Sequence, residues 1–188
     1  AQGQSVTATN TLADPDSLRT ITYQWQRDGV DIAGATSASY ALVQADVGTV
    51  ITVDASYKDG GGTLESVTSA ATAAVGNVND APTGSVTIDN LTPSQGQSLT
   101  ASNTLADPDG LGTITYQWQR YAVDIAGATS ASYASVQADI GTVITVVVSY
   151  TDGGGTLESV TSAATVAVSN VNDAPTGPVT IDNLTPSQ

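Results

Sequence analysis

Oxygen-bearing side chains gather at a few points of this chain, and their types suit a hard cation. The stretch Asn77-Val78-Asn79-Asp80-Ala81-Pro82 returns as Asn170-Val171-Asn172-Asp173-Ala174-Pro175. Asn and Asp offer the carbonyl and carboxylate oxygens that calcium takes, while Pro stiffens the exit and holds the residue before it extended. Two further segments supply Asp107 with Asp109, and Asp152 with Glu158 close behind; Asp14, Asp16, Asp59 and Glu65 stand at the matching earlier positions. The same residue types also make ordinary turns, and acidic loops on soluble proteins commonly face only water. Both readings stay open on these residues alone.

Other chemistry is poorly supplied. The chain has no His, Cys, Met or Phe, so no imidazole or thiol serves catalysis or transition-metal binding, no disulfide can form, and no histidine activates the many Ser and Thr residues. Asp107 and Asp109 could pass for a glycosidase acid and base, but one exposed, cation-seeking loop carries both. Gly153-Gly154-Gly155 lacks the lysine of a phosphate cradle and has acidic surroundings, so it reads as a hairpin loop. The chain is read as no enzyme. Trp25 and Trp118 could stack on sugars; sharing a period-two face with Ile21 and Tyr23, or Ile114 and Tyr116, makes them core residues instead. A carbohydrate-binding reading then rests only on Tyr121, which with Ala122 replaces Asp28-Gly29 of the other copy. Arg27 and Arg120 lie near Asp46 and Asp139 along the expected fold, predicting surface ion pairs worth at most about 1 kcal/mol.

Charge narrows the partners. Four Lys and Arg against 18 Asp and Glu give a net charge of −14, which argues against nucleic acid and against anionic membrane surfaces. No apolar run approaches the roughly 20 residues of a membrane span, and no charged-then-apolar leader opens the chain. At 40% hydrophobic residues with regular alternation, the chain reads as ordered and all-β rather than disordered.

The elements that must position those acids come from a repeat. Tyr23-Gln24-Trp25-Gln26 returns as Tyr116-Gln117-Trp118-Gln119, and Asp59-Gly60-Gly61-Gly62 as Asp152-Gly153-Gly154-Gly155. The period of about 93 residues, with about 14 differences between copies, signals whole domains in an array. The frame gives residues 1–82 as a repeat without its first strand, 83–175 as a complete one, and 176–188 as the first strand of a following one. Within 83–175, strands fall at Val86-Thr87-Ile88, around Leu99 and Ala101, at Ile114 to Trp118, at Val123 to Ile125, at Ser132-Tyr133-Ala134, over Thr142 to Tyr150, and from Val160 on. Asp54 stands where the other copy has Val147, which predicts a solvent-facing position, because burying a carboxylate is costly. Two arrangements fit the frame: a slice of a longer array, or a subunit whose Val179–Asp182 strand completes the next molecule's first domain.

Short strands with turn signals every 8 to 12 residues, a tryptophan on the third strand, and Asp139-Ile140-Gly141 leading into the penultimate one resemble an immunoglobulin-like β-sandwich. Departures are plain: Val143 holds the corner-tyrosine position, and Thr145 with Leu99 or Ala101 replaces the disulfide. In that fold the loops after strands two and six lie where the chain enters. The resemblance thus implies that Asp107, Asp109, Asp152 and Glu158 meet Asn77, Asn79 and Asp80 at the joint between repeats. Two carboxylates about 6 Å apart repel by roughly 3 kcal/mol at an effective dielectric near 20, so calcium is expected there, and a weaker or incomplete site at Asp14, Asp16, Asp59 and Glu65. Asn-Val-Asn-Asp-Ala-Pro looks like the linker of cadherins and of cadherin-like bacterial repeats. With Tyr-Gln-Trp-Gln and Ala-Asp-Val-Gly-Thr-Val-Ile-Thr-Val, each unit resembles tandem repeats of large, type I-secreted (RTX-type) bacterial surface adhesins. That implies a non-catalytic, calcium-stiffened extender outside the cell or on its surface, with adjacent repeats of the same chain as partners. Self-assembly through Val179–Asp182 into a filament is the alternative.

Overall fold

Period-two alternation decides where this chain is extended. The computed structural model describes residues 1–181. Contacts divide the chain into two compact units. One holds Ala1–Pro82 with Ala106–Gly112 and Thr151–Thr156; the other holds Thr83–Leu105, Thr113–Tyr150 and the chain from Leu157 on. Two loops of the second repeat therefore group with the first unit, a division that differs from a clean boundary at Pro82.

In the first repeat the strands are β1 (Ser5–Thr7), β2 (Thr22–Arg27), β3 (Val30–Asp31), β4 (Ser39–Ala41), β5 (Ile51–Lys58) and β6 (Leu64–Thr68). β1 pairs with β4, and the second sheet runs β3-β2-β5-β6. The second repeat has β7 (Val86–Ile88), β8 (Ser98–Asn103), β9 (Thr115–Arg120), β10 (Val123–Asp124), β11 (Ser132–Ala134), β12 (Ile144–Thr151) and β13 (Leu157–Thr161). Its sheets run β11-β8-β7 and β10-β9-β12-β13. Each repeat is an immunoglobulin-like Greek-key sandwich, and the chain is all-β. Val179 and Ile181 lie in no strand and are exposed; Asp182, the end of the strand expected there, lies outside the described residues with the rest of the chain to Gln188.

The core follows the alternation. On β12, Ile144, Val146, Val148 and Tyr150 are buried while Thr145, Val147 and Ser149 between them are half-exposed. They pack with Val86, Ile88, Leu99 and Trp118, each contributing about 1.5–3 kcal/mol where fully buried. The Trp118 indole N–H donates to the Ser130 carbonyl at 2.9 Å, and its ring stacks on Tyr133 with centroids 5.7 Å apart. Trp25, Ser37 and Tyr40 repeat the arrangement. Asp54 does lie on the face opposite Ile51 and Val53, but only half-exposed. Gln26 donates to its Oδ2 at 3.0 Å, and its Oδ1 is buried without a partner.

The expected surface ion pairs are instead half-buried, each with its carboxylate fully enclosed. A 3₁₀ turn, Gln137–Asp139, swings the Asp139 carboxylate inward beneath the amide of Val136, which donates to Oδ2 at 2.7 Å. Arg120 meets Oδ1 through Nε at 2.6 Å and also through Nη2, and the Tyr133 hydroxyl donates to Oδ2 at 2.7 Å. Asp139 is fully buried while the Arg120 side chain keeps 29% of its surface in water. In the first repeat Arg27, Tyr40 and the Val43 amide enclose Asp46 in the same way. Burial, then the bond to Asp139, pushes the Tyr133 hydroxyl up to about 12. Burial would raise Asp46, but the Val43 amide and Arg27 outweigh it and hold that carboxyl below its usual value. Asp139→Ala strands a guanidinium and a hydroxyl at this node. The second sandwich should lose about 3–5 kcal/mol, read from its urea midpoint.

The two-residue loops after β2 and β9 both need left-handed backbone. Asp28 and Gly29 have φ of 46° and 77°, and Tyr121 and Ala122 have 48° and 60°, the positive pair of a type I′ hairpin turn. Gly29 adopts this freely, whereas Ala122 sets its Cβ against the following carbonyl at about 1–2 kcal/mol. Tyr121 stays 60% exposed, its hydroxyl donating to the Gly141 carbonyl at 2.6 Å. Ala122→Gly should stabilise the second sandwich by about 1 kcal/mol in chemical denaturation, whereas Gly29→Ala should cost the first a similar amount.

Candidate functional site

The loop at Asp107–Gly110 is curled by its first acid. Asp107 Oδ1 accepts the Asp109 amide at 2.8 Å and the Asp107 carbonyl accepts the Gly110 amide at 3.0 Å, an Asx turn. The curl directs the Asp109 carboxylate into the protein, where only 8% of the residue is exposed. Its Oδ2 accepts the Asp80 amide at 2.7 Å and its Oδ1 accepts Gln44 Nε2 at 2.9 Å; the Asn77 side chain bonds to it as well. Asp80 in turn accepts Gln2 Nε2 at 2.8 Å. The Asp80 amide, followed by Asn77 and Gln44, holds the Asp109 carboxyl below the usual carboxylate range against the opposing pull of desolvation.

The glycine hairpin completes the same cluster. Asp152 Oδ1 accepts the Thr156 amide at 2.7 Å, and Gly153 donates its amide to the Asp109 carbonyl at 2.9 Å. A Cβ on Gly153 would stand 2.4 Å from that carbonyl oxygen, and one on Gly154 would stand 2.6 Å from Asn77 Nδ2. Close backbone approach is therefore what those two glycines permit. A hollow of about 350 Å³ lies among Gln44, Val47, Asn77, Asp109, Gly153 and Gly154. All of these residues belong to the first compact unit. Asn79 and Asp107 are bonded too, whereas Glu158 stands half-buried on β13, in the second unit.

The first-repeat equivalents are simpler. Asp14 Oδ1 accepts the Asp16 amide at 2.7 Å and Oδ2 accepts the Tyr57 hydroxyl at 3.0 Å, which raises the Tyr57 value. Asp59 Oδ1 accepts the Thr63 amide at 2.7 Å, the Gly60 amide donates to the Asp16 carbonyl, and Glu65 is exposed on β6.

As a calcium shell, the cluster fits in part. Among the described residues no three acidic side chains come close enough to hold a metal ion, and both Asp109 oxygens already take N–H donors. Two oxygens are nevertheless buried without a partner, Asp152 Oδ2 and Gln44 Oε1, and these are acceptors of the kind calcium uses. Gln44 was invisible as a site residue in the sequence. It sits on the 3₁₀ turn before Asp46, and only the folded chain carries it to Asp109.

No family model matches the chain, and no curated protein matches it. Among solved structures it is similar to the full ectodomain (Ig1–Ig3) of mouse nectin-like molecule 4, at 13% identity and a TM-score of 0.36. The match covers 84% of this chain and 57% of that one. The chain thus spans less than two thirds of that ectodomain.

The depressed Asp109 carboxyl has a pH signature. A group lowered on folding gives stability that is complete above its unfolded value of about 3.9 and fades as pH falls through its lower folded value. Asp109→Asn should therefore lower the melting temperature at pH 6, with the gap to wild type closing as the pH falls towards 2, as calorimetry can follow.

Proposed function

We propose that this chain is a non-catalytic extender segment of a bacterial cell-surface adhesin, working outside the cell or on its surface. One observation carries the reading: the same sandwich framework is built twice, its two layers tied in each copy by an Arg–Asp–Tyr node. Side chains that could do chemistry are spent on holding loops. Asp109 accepts three N–H donors, Asp14 an amide and a hydroxyl, and the tryptophans lie in the cores. The linker resemblance to cadherin-like adhesin repeats supports the bacterial setting.

Calcium belongs to this reading as a stiffener of the cluster. The unpartnered oxygens of Asp152 and Gln44 support it, with Asn77, Asp80 and Asp109 in the same cluster; calcium would supply charge neutralisation beside these carboxylates. Sites in extracellular modules bind at about 10⁻⁴–10⁻³ M, and a site at tenfold its dissociation constant adds roughly 1.4 kcal/mol. Pulling on the chain ends should give two separate unfolding peaks, and EDTA should lower the force of at least one. A smooth extension at low force would sink the extender, and identical peaks in EDTA would remove the calcium.

A further inference from the structure

An Asp followed by Gly exposes its side chain to attack by its own backbone, because no Cβ shields the glycine nitrogen. Four such steps occur here, Asp28-Gly29, Asp59-Gly60, Asp109-Gly110 and Asp152-Gly153, and no Asn-Gly step occurs. The reaction asks three things of the fold. The carboxyl carbon must be reachable, the glycine N–H must be free, and the Asp Cα–C bond must be able to turn the nitrogen towards the carboxyl. Three of the steps fail on the first two. Asp59, Asp109 and Asp152 are buried. The Gly60 amide donates to the Asp16 carbonyl at 2.7 Å, Gly110 to Asp107 at 3.0 Å and Gly153 to Asp109 at 2.9 Å. Backbone packing also blocks the turn at two of them, since a Cβ on Gly60 or Gly153 would stand 2.3 or 2.4 Å from a carbonyl oxygen.

Asp28-Gly29 is the exception. Both residues are exposed, and Gly29 donates its amide to no group among the described residues. Nothing lies within 4 Å of where a Gly29 Cβ would stand. The Asp28 carboxylate accepts only the Val50 amide among the described residues, at 3.0 Å. Asp28 itself holds a φ of 46° in the type I′ turn, a left-handed backbone that an L-residue adopts at a cost. At the same turn of the second repeat stand Tyr121 and Ala122, which cannot react in this way.

We propose that Asp28 is a site of spontaneous backbone isomerisation, a covalent age mark on the first sandwich with no counterpart at the matching turn of the second. The Gly29 nitrogen bonds to Cγ of the neutral Asp28 carboxyl. The C–OH bond breaks, and the hydroxyl leaves as water with the amide proton. The five-membered succinimide so formed takes back one water. Opening at Cγ restores Asp28; opening at the main-chain carbonyl routes the backbone through Cβ and Cγ and leaves a free α-carboxylate. Water is the sole co-reactant, and the mass is unchanged. The added methylene lengthens a two-residue turn whose flanks, Arg27 and Val30, pair across β2 and β3. It also takes Oδ1 from the Val50 amide. Arg27 is the residue that holds Asp46, so the change reaches the tie between the layers.

Peptide mapping with electron-transfer fragmentation distinguishes the two linkages and tests this on the full chain, kept for weeks at neutral pH and body temperature. Isoaspartate should gather at residue 28 about tenfold faster than at 59, 109 or 152, the factor for first breaking a buried hydrogen bond at each of those. In urea that unfolds the chain, the four rates should converge. Asp28→Glu, whose longer side chain closes a ring far more slowly, should leave position 28 unmarked. Y121D/A122G places the step in the second repeat's turn and should bring a mark to position 121 at a rate like that at 28. Equal rates at all four steps in the folded chain would overturn the proposal. So would a lead of residue 28 that persists in urea, which would assign it to the neighbouring sequence and not to the turn. No mark at position 121 in Y121D/A122G would equally remove the turn as the cause.

Discussion

A buried carboxylate ties the two layers of each sandwich together. Asp139 bonds Arg120 on one sheet, Tyr133 on the other and the Val136 amide at the turn between them, so one side chain ties both layers. Tyr133 also stacks on Trp118, which carries the polar tie into the apolar core. In a chain with no cysteine, this node does the cross-layer work that a disulfide does in many immunoglobulin domains. Burying an ion costs several kcal/mol, and the cost is met here because every Asp139 lone pair has a donor and Arg120 keeps part of its surface in water. Its repetition around Asp46 shows that the arrangement belongs to the fold and not to one copy's drift.

The two repeats act as controls for each other. Near-identical strands give one closed core and one that is open along β1. Trp118 and Val146 are 0% exposed, against 3% and 8% for Trp25 and Val53. Composition explains little of that, since the substitutions at the core are few. The neighbouring strand explains it: β7 covers one edge in the second repeat, and nothing among the described residues covers it in the first.

The acidic loops show how such a chain limits its own repulsion. Asp109 and Asp14 turn both carboxylate oxygens, and Asp152 one, to backbone and side-chain N–H and O–H groups, while glycines at 153 and 154 let that hairpin approach the Asp109 carbonyl and the Asn77 side chain. Dipoles thus offset charge where lysine and arginine are scarce.

Much of the fold was legible in the sequence because a strand's faces repeat every two residues: Ile144, Val146, Val148 and Tyr150 had to share one side, and the Asp54-for-Val147 exchange marked the other. The repeat and the absence of His and Cys likewise fixed what chemistry was out of reach. Tertiary structure alone decided the rest. Arg120 and Asp139 read as a surface pair because sequence shows proximity but not depth, and the 3₁₀ turn that buries the carboxylate leaves no periodic trace. Gln44 reaches Asp109 across 65 positions, and hydrogen bonds of that span depend on how loops close, which no local pattern encodes.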